Sequence, residues 1–280
     1  VKKWKFMNKR YLLAVMIVVL ALISLLVFKT VSGHKKQAME ISRKAKIAQP
    51  KVVPVKGKVA IVLDDWGYNY SDLSLLFEIK RPITVSILPN LRYSERIARD
   101  TNARGYQTML HLPLESRNNE IPEKGTIYCS MSQDEIIKSL RLSLKSVPGV
   151  SGVNNHQGSK ATETVEIMKA VLAELKKEKL FFLDSLTTDK SICSPTARSA
   201  GIKCAKRDIF LDEPPSKLGD KEQALYIQKQ LYKLSSIAMR KGSAIGIGHD
   251  KKITLKVLKD LMSQMEKQGI KFVFMSELAQ

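Results

Sequence analysis

Two aspartates stand side by side at positions 64 and 65, directly after the apolar run 59–63 (VAIVL). Burying adjacent carboxylates is electrostatically costly unless a cation offsets them. Three histidines hold comparable places: His111 after QTML, His156 after SGV and two asparagines, and His249 after AIGIG. Asp184 follows LFFL and Asp212 follows DIFL. Together they supply what a catalytic zinc site needs: three N/O ligands, an open water position and spare groups for proton transfer. Asp212 alone reads better as a turn or helix cap, the common role of aspartate after a strand. Asp184 is divided between such a cap and a carboxylate that orients His249 or His156.

The elements that must position these groups are short apolar runs alternating with amphipathic helical stretches. The runs lie at 59–63, 83–88, 107–110, 152–153, 180–183, 208–211, 244–247 and 271–275. Helical periodicity covers 132–146, 162–179, 220–240 and 254–268, the first opening on Ser132 as N-cap. Near-continuous apolar strands separated by helices predict a parallel sheet covered by helices, closed into a distorted (β/α) barrel, with a doubly wound open sheet as the alternative. In such folds functional groups gather at the carboxyl ends of the strands, so the residues above would meet on one rim.

The motifs resemble those of the polysaccharide deacetylase superfamily, and in particular its divergent branch. AIVLDDWG resembles the opening motif, a strand ending in paired aspartates. GVNNHQGS, FFLDS, RDIFLD and AIGIGHD match the divergent branch, and the resemblance runs from about residue 58 to 280. It implies a metal-dependent hydrolase acting on C–N bonds, with Asp64 as base, Asp65 and His111 as metal ligands and His249 as general acid. Ordinary members place a second histidine four residues after the first, where this chain has Glu115 in HLPLES. The third ligand is therefore expected to be His156, with Glu115 as the alternative. The implied cofactor is a divalent metal, Zn2+ foremost, and the implied substrate is an acetylated glycan of the cell envelope. A deacetylase-like domain that only binds an envelope glycan or a protein partner is the rival expectation, favoured by the missing histidine.

Residues 11–28 (YLLAVMIVVLALISLLVF) carry no charge and are long enough to span a bilayer. The basic stretch 1–10 before them is expected to stay cytoplasmic by the positive-inside rule. A membrane anchor is favoured over a cleaved signal, because no good small-x-small site follows. Residues 29–57 read as a basic stalk and 58–280 as the catalytic domain. The chain is thus expected to be single-pass in the cytoplasmic (inner) membrane, with its domain periplasmic. Residues 1–57 hold 13 of the 47 basic residues and one of the 27 acidic ones, a net +12, leaving +8 for the rest. The excess belongs to the membrane flank, and no basic-aromatic interleaving suggests nucleic acid. No feature specifies a protein partner. Cys193 and Cys204 are candidates for a disulfide or for separate thiols, with Cys129 left over.

Overall fold

The computed structural model describes residues 9–47, 54–118 and 120–280, in two units, Val1–Val52 and Val53–Gln280. In the first, α1 (Lys9–Ile47) is one helix of 39 residues. Its stretch Arg10–Ser42 is long and apolar enough to cross a membrane. The helix continues well past residue 28 into the expected stalk. Lysine, alanine, glutamate, glutamine and arginine dominate there and favour helix, and no proline intervenes before Pro50. Positions 1–8 of the basic tail and 48–53 of the stalk lie outside the described residues.

The second unit alternates strands and helices. It contains β1 (Gly57–Trp66), α2 (Leu73–Glu78), β2 (Thr84–Ile87), α3 (Ser94–Ala103), β3 (Gln107–Leu114), α4 (Gln133–Ser146), β4 (Gly152–Gln157) and α5 (Val165–Lys177). There follow β5 (Phe181–Asp184), α6 (Cys193–Ala200), β6 (Cys204–Lys206), β7 (Ile209–Phe210), α7 (Asp220–Lys241), β8 (Ser243–His249), α8 (Lys252–Lys267) and β9 (Ile270–Val273). Ser132 caps α4 in a reciprocal box with Glu135, satisfying donors at both ends of the turn.

The strands pair in parallel in the order β6-β5-β4-β3-β2-β1-β8-β7, with β9 added on β1. The sheet curls into a half-barrel, and its two edges, β6 and β7, are consecutive in the chain. Arg207 and Asp208 alone carry the chain across that seam. The Arg207 amide donates to Asp184 O at 3.0 Å on one edge, and that of Asp208 donates to Ile245 O at 2.9 Å on the other. This is a distorted barrel rather than the doubly wound alternative.

Side chains alternate across each strand. Val59, Ile61 and Leu63 join the layer between sheet and helices, together with Leu110, Leu112 and Phe182. Ala60 and Val62 belong to a separate inner cluster with Met109, Leu183, Ile245 and Ile247. This inner set stops where polar residues begin. By the same parity Asp64, His111, Asn154 and His249 face inward, above the apolar plug.

Candidate active site

Four strands place the polar residues on one rim. Asp64 on β1 is in register with His249 on β8, and His111 on β3 with Asn154 on β4. Strict alternation would send Asp65 outward, but the register of β1 against β2 breaks between Leu63 and Trp66. Asp65 sits there with a left-handed φ of 65°, a bulge geometry that re-aims its carboxylate. A cleft of about 300 Å³ opens at this rim, lined by Asp64, Asp65, His111, His156, Phe210 and His249 among others.

Three donor atoms converge in the cleft. Asp65 Oδ1 lies 3.2 Å from His111 Nε2 and 3.1 Å from His156 Nδ1, and the two ring nitrogens are 3.2 Å apart. Tetrahedral bonds of about 2.0–2.1 Å to zinc give donor separations of about 3.3 Å, so the triangle fits a divalent cation. Oδ1 is buried, and among the described residues no aligned hydrogen bond reaches it. Such an atom is costly unless something positive faces it. Burial would raise the Asp65 carboxyl, yet the two imidazoles hold it well below the usual carboxylate range. Burial pushes His111 down, and the Asp64 and Asp65 carboxylates overcome this and raise it. The two carboxylates thus favour positive charge at His111, and a divalent cation at the triangle would supply it. Two imidazoles and a carboxylate form a donor set typical of zinc.

The chemistry beside the triangle differs. Asp64 is 2% exposed, and burial raises its carboxyl above the ordinary range. Its two oxygens each accept from Asn154 Nδ2 at 3.0 Å, and Oδ2 is 3.6 Å from His111 Nε2. Across the cleft, His249 Nδ1 donates to Asp212 Oδ1 at 2.7 Å. Asp212 Oδ2 accepts from the His249 amide at 2.9 Å and from Thr254 Oγ1 at 2.6 Å. Burial opposes a charged imidazole, but the Asp212 carboxylate wins and raises His249 to about 9. Its Nε2 lies 3.4 Å from Glu213 Oε1. Phe210 stacks on its ring, and the Arg207 guanidinium carbon lies 3.5 Å from the centroid of that phenyl group.

Of the residues expected from sequence, Asp64, Asp65, His111, His156 and His249 come together. Asp184 does not. Its carboxylate accepts from the Leu186 amide and Ser191 Oγ at 2.8 and 2.6 Å and bonds to neither histidine. Phe181 and Leu183 face inward, so parity turns Asp184 the other way. The orienting carboxylate is Asp212, which sequence alone made a cap. Glu115, the alternative ligand, is committed elsewhere, pairing with Lys160 Nζ at 2.6 Å and accepting from the Cys129 amide at 2.6 Å. Cys129, Cys193 and Cys204 are free thiols. Sequence reasoning also passed over Asn154, Phe210 and Glu213. Only the asparagine had a signal, its place next to His156 in the same motif.

The fold and site define a parallel half-barrel whose strand ends combine a candidate metal triangle with acid–base groups. Residues 61–279 match the model of the divergent polysaccharide deacetylase family, and the chain belongs to that family. It is 33% identical over 206 residues to the uncharacterized protein YibQ of Escherichia coli (strain K12), covering 74% of this chain and 62% of that protein. An uncharacterized protein of Haemophilus influenzae is 31% identical over 203 residues, covering 72% of this chain and 70% of that one. The crystal structure of an uncharacterized protein from Agrobacterium tumefaciens C58 superposes with a TM-score of 0.74 at 21% identity, over 84% of this chain and 94% of that one.

Proposed function

We propose that the chain is a metal-dependent hydrolase that removes acetyl groups from an N-acetylated glycan of the cell envelope. The observation that carries this is the Asp65–His111–His156 triangle with Asp64 and His249 on either side. Asp65, His111 and His156 would hold a divalent cation, Zn2+ by donor type. Such an ion supplies Lewis-acid polarisation of an acyl carbonyl and makes water more acidic. Asp64, desolvated and held by Asn154, takes the proton from the attacking water. His249 is kept protonated by Asp212, and its Nε2 delivers a proton to the departing amine. Acetate and a free amino sugar result.

The residue pattern supports an envelope location. Residues 1–10 form a basic tail on the cytoplasmic side, 11–28 cross the inner membrane, and 58–280 work in the periplasm. Residues 29–57 connect the two, helical as far as Ile47. The test is metal content of the purified full chain together with acetate release from N-acetylated chito-oligomers and from peptidoglycan. About one metal per chain with acetate release is expected. A metal-free preparation without turnover, yet still retaining glycan, would replace this reading with a binding role.

A further inference from the structure

Asn154 is fully buried at the centre of the rim, and every hydrogen-bonding position of its amide is used. Nδ2 donates to both oxygens of Asp64 at 3.0 Å and to Ser185 Oγ at 3.2 Å. Oδ1 accepts from Ser86 Oγ at 2.5 Å and faces His111 Nδ1 at 3.0 Å. As the base of the proposed reaction Asp64 is ionised and only accepts hydrogen bonds, so the NH2 end of the amide faces it. That choice fixes the carbonyl end toward His111. In the neutral imidazole that a metal ligand must be, the nitrogen facing a carbonyl oxygen carries the proton, which makes Nδ1 the N–H and leaves the lone pair on Nε2. Nε2 is the atom that points into the metal triangle.

We infer that Asn154 is a positioning residue that links the base Asp64 to the metal ligand His111, one amide setting the orientation of the first and the tautomer of the second. The inference rests on the metal site and reaction proposed above. The register makes the link possible: Asn154 is the β4 neighbour of His111, and its side chain crosses the inner face to β1. Asn155, one position on, has a different task. Its Nδ2 donates to Gln157 O and its Oδ1 accepts from the Ser185 amide, which pins the loop after β5.

The two halves of the amide can be separated by substitution. Asn154→Asp keeps an acceptor for His111 Nδ1 but replaces the amide N–H with a second carboxyl that competes with Asp64 for one proton. Asn154→Ala removes both. Zinc affinity, measured on the metal-free full chain by competition with a chromogenic chelator, should fall about 10–100-fold in N154A and stay within about threefold of wild type, or tighten, in N154D. Turnover at saturating zinc should fall in both variants. Wild-type zinc affinity in N154A, or equal losses in N154A and N154D, would overturn the link to His111. Unchanged turnover in N154D would overturn the link to Asp64. If N154A does not fold, N154S takes its place, because its hydroxyl is too short to reach His111. A wild-type chain that binds zinc but releases no acetate would sink the proposed reaction while the affinity series still decides the His111 link. In that event the Asp64 link is decided by thermal melts of the metal-free chain, where only the removal of a real bond makes the costs of D64A and N154A less than additive.

Discussion

The rim holds two histidine–carboxylate groupings that look alike in sequence and differ in chemistry. On the β1, β3 and β4 side, two imidazole nitrogens and Asp65 Oδ1 face one another at 3.1–3.2 Å, with no aligned donor for the oxygen among the described residues. On the β7 and β8 side, His249 Nδ1 and Asp212 Oδ1 are joined at 2.7 Å, and Asp212 Oδ2 is saturated by an amide and a hydroxyl. The first grouping leaves Asp65 Oδ1 without a hydrogen bond among the described residues and can be completed by a cation. The second is complete and holds a proton. The same two residue types thus form a candidate metal site or a proton-holding pair according to how their lone pairs are already spent.

The largest effects should come from exchanging one grouping's loss for the other's. Asp65→Ala and His111→Ala are expected to abolish both metal content and acetate release. His249→Ala should keep stoichiometric metal by elemental analysis and lose about 10²–10⁴-fold in turnover. Metal loss in the His249 variant would erase the distinction between the two sides. A sharper contrast comes from Asp212→Asn, which leaves the ring free to take the wrong tautomer. Turnover should drop about 10²–10⁴-fold with metal content unchanged, whereas a fully active variant would make Asp212 a cap after all.

A smaller effect is the pH dependence of stability in the metal-free chain. His249 is raised from 6.5 to about 9 by Asp212. A raised imidazole contributes stability that is fully present below 6.5 and is lost as pH rises through about 9. The melting temperature of wild type relative to Asp212→Asn should therefore be highest below pH 6.5 and converge above 9. A difference that grows with pH would contradict the pairing. Asp184→Asn should be mildest. Turnover and metal should stay within about threefold, while stability falls by about 1–2 kcal/mol as bonds to Leu186 and Ser191 weaken.

Much of this arrangement was legible in the sequence because polar groups after apolar runs mark strand ends in a parallel sheet. Asp64, Asp65, His111, His156 and His249 all stand at such places. Facing direction was not legible. Strands buried on both faces are apolar throughout, so LFFL does not reveal that Phe181 and Leu183 turn inward and Asp184 away. Asp212 was hidden because β7 has only two residues, too few to show a period. Three short helices also escaped, each too short or too polar for a helical period to show. α2 has six residues, α3 is mostly polar, and α6 (CSPTARSA) is rich in weak helix formers. β6 (CAK) is a three-residue edge strand with only a cysteine and an alanine as apolar residues.

The bulge at Asp65 sets the protein's evolutionary latitude. A side chain at a φ of 65° bears about 1 kcal/mol of backbone strain that glycine would not. Asp65→Gly should therefore fold as well as wild type or better in a chemical-denaturation midpoint, while holding no metal. Selection for folding alone would push this position away from aspartate, and the proposed role as metal ligand is what would retain it. In a lineage released from metal chemistry, drift would erase Asp65 before His111, whose departure leaves a hole in a packed interior.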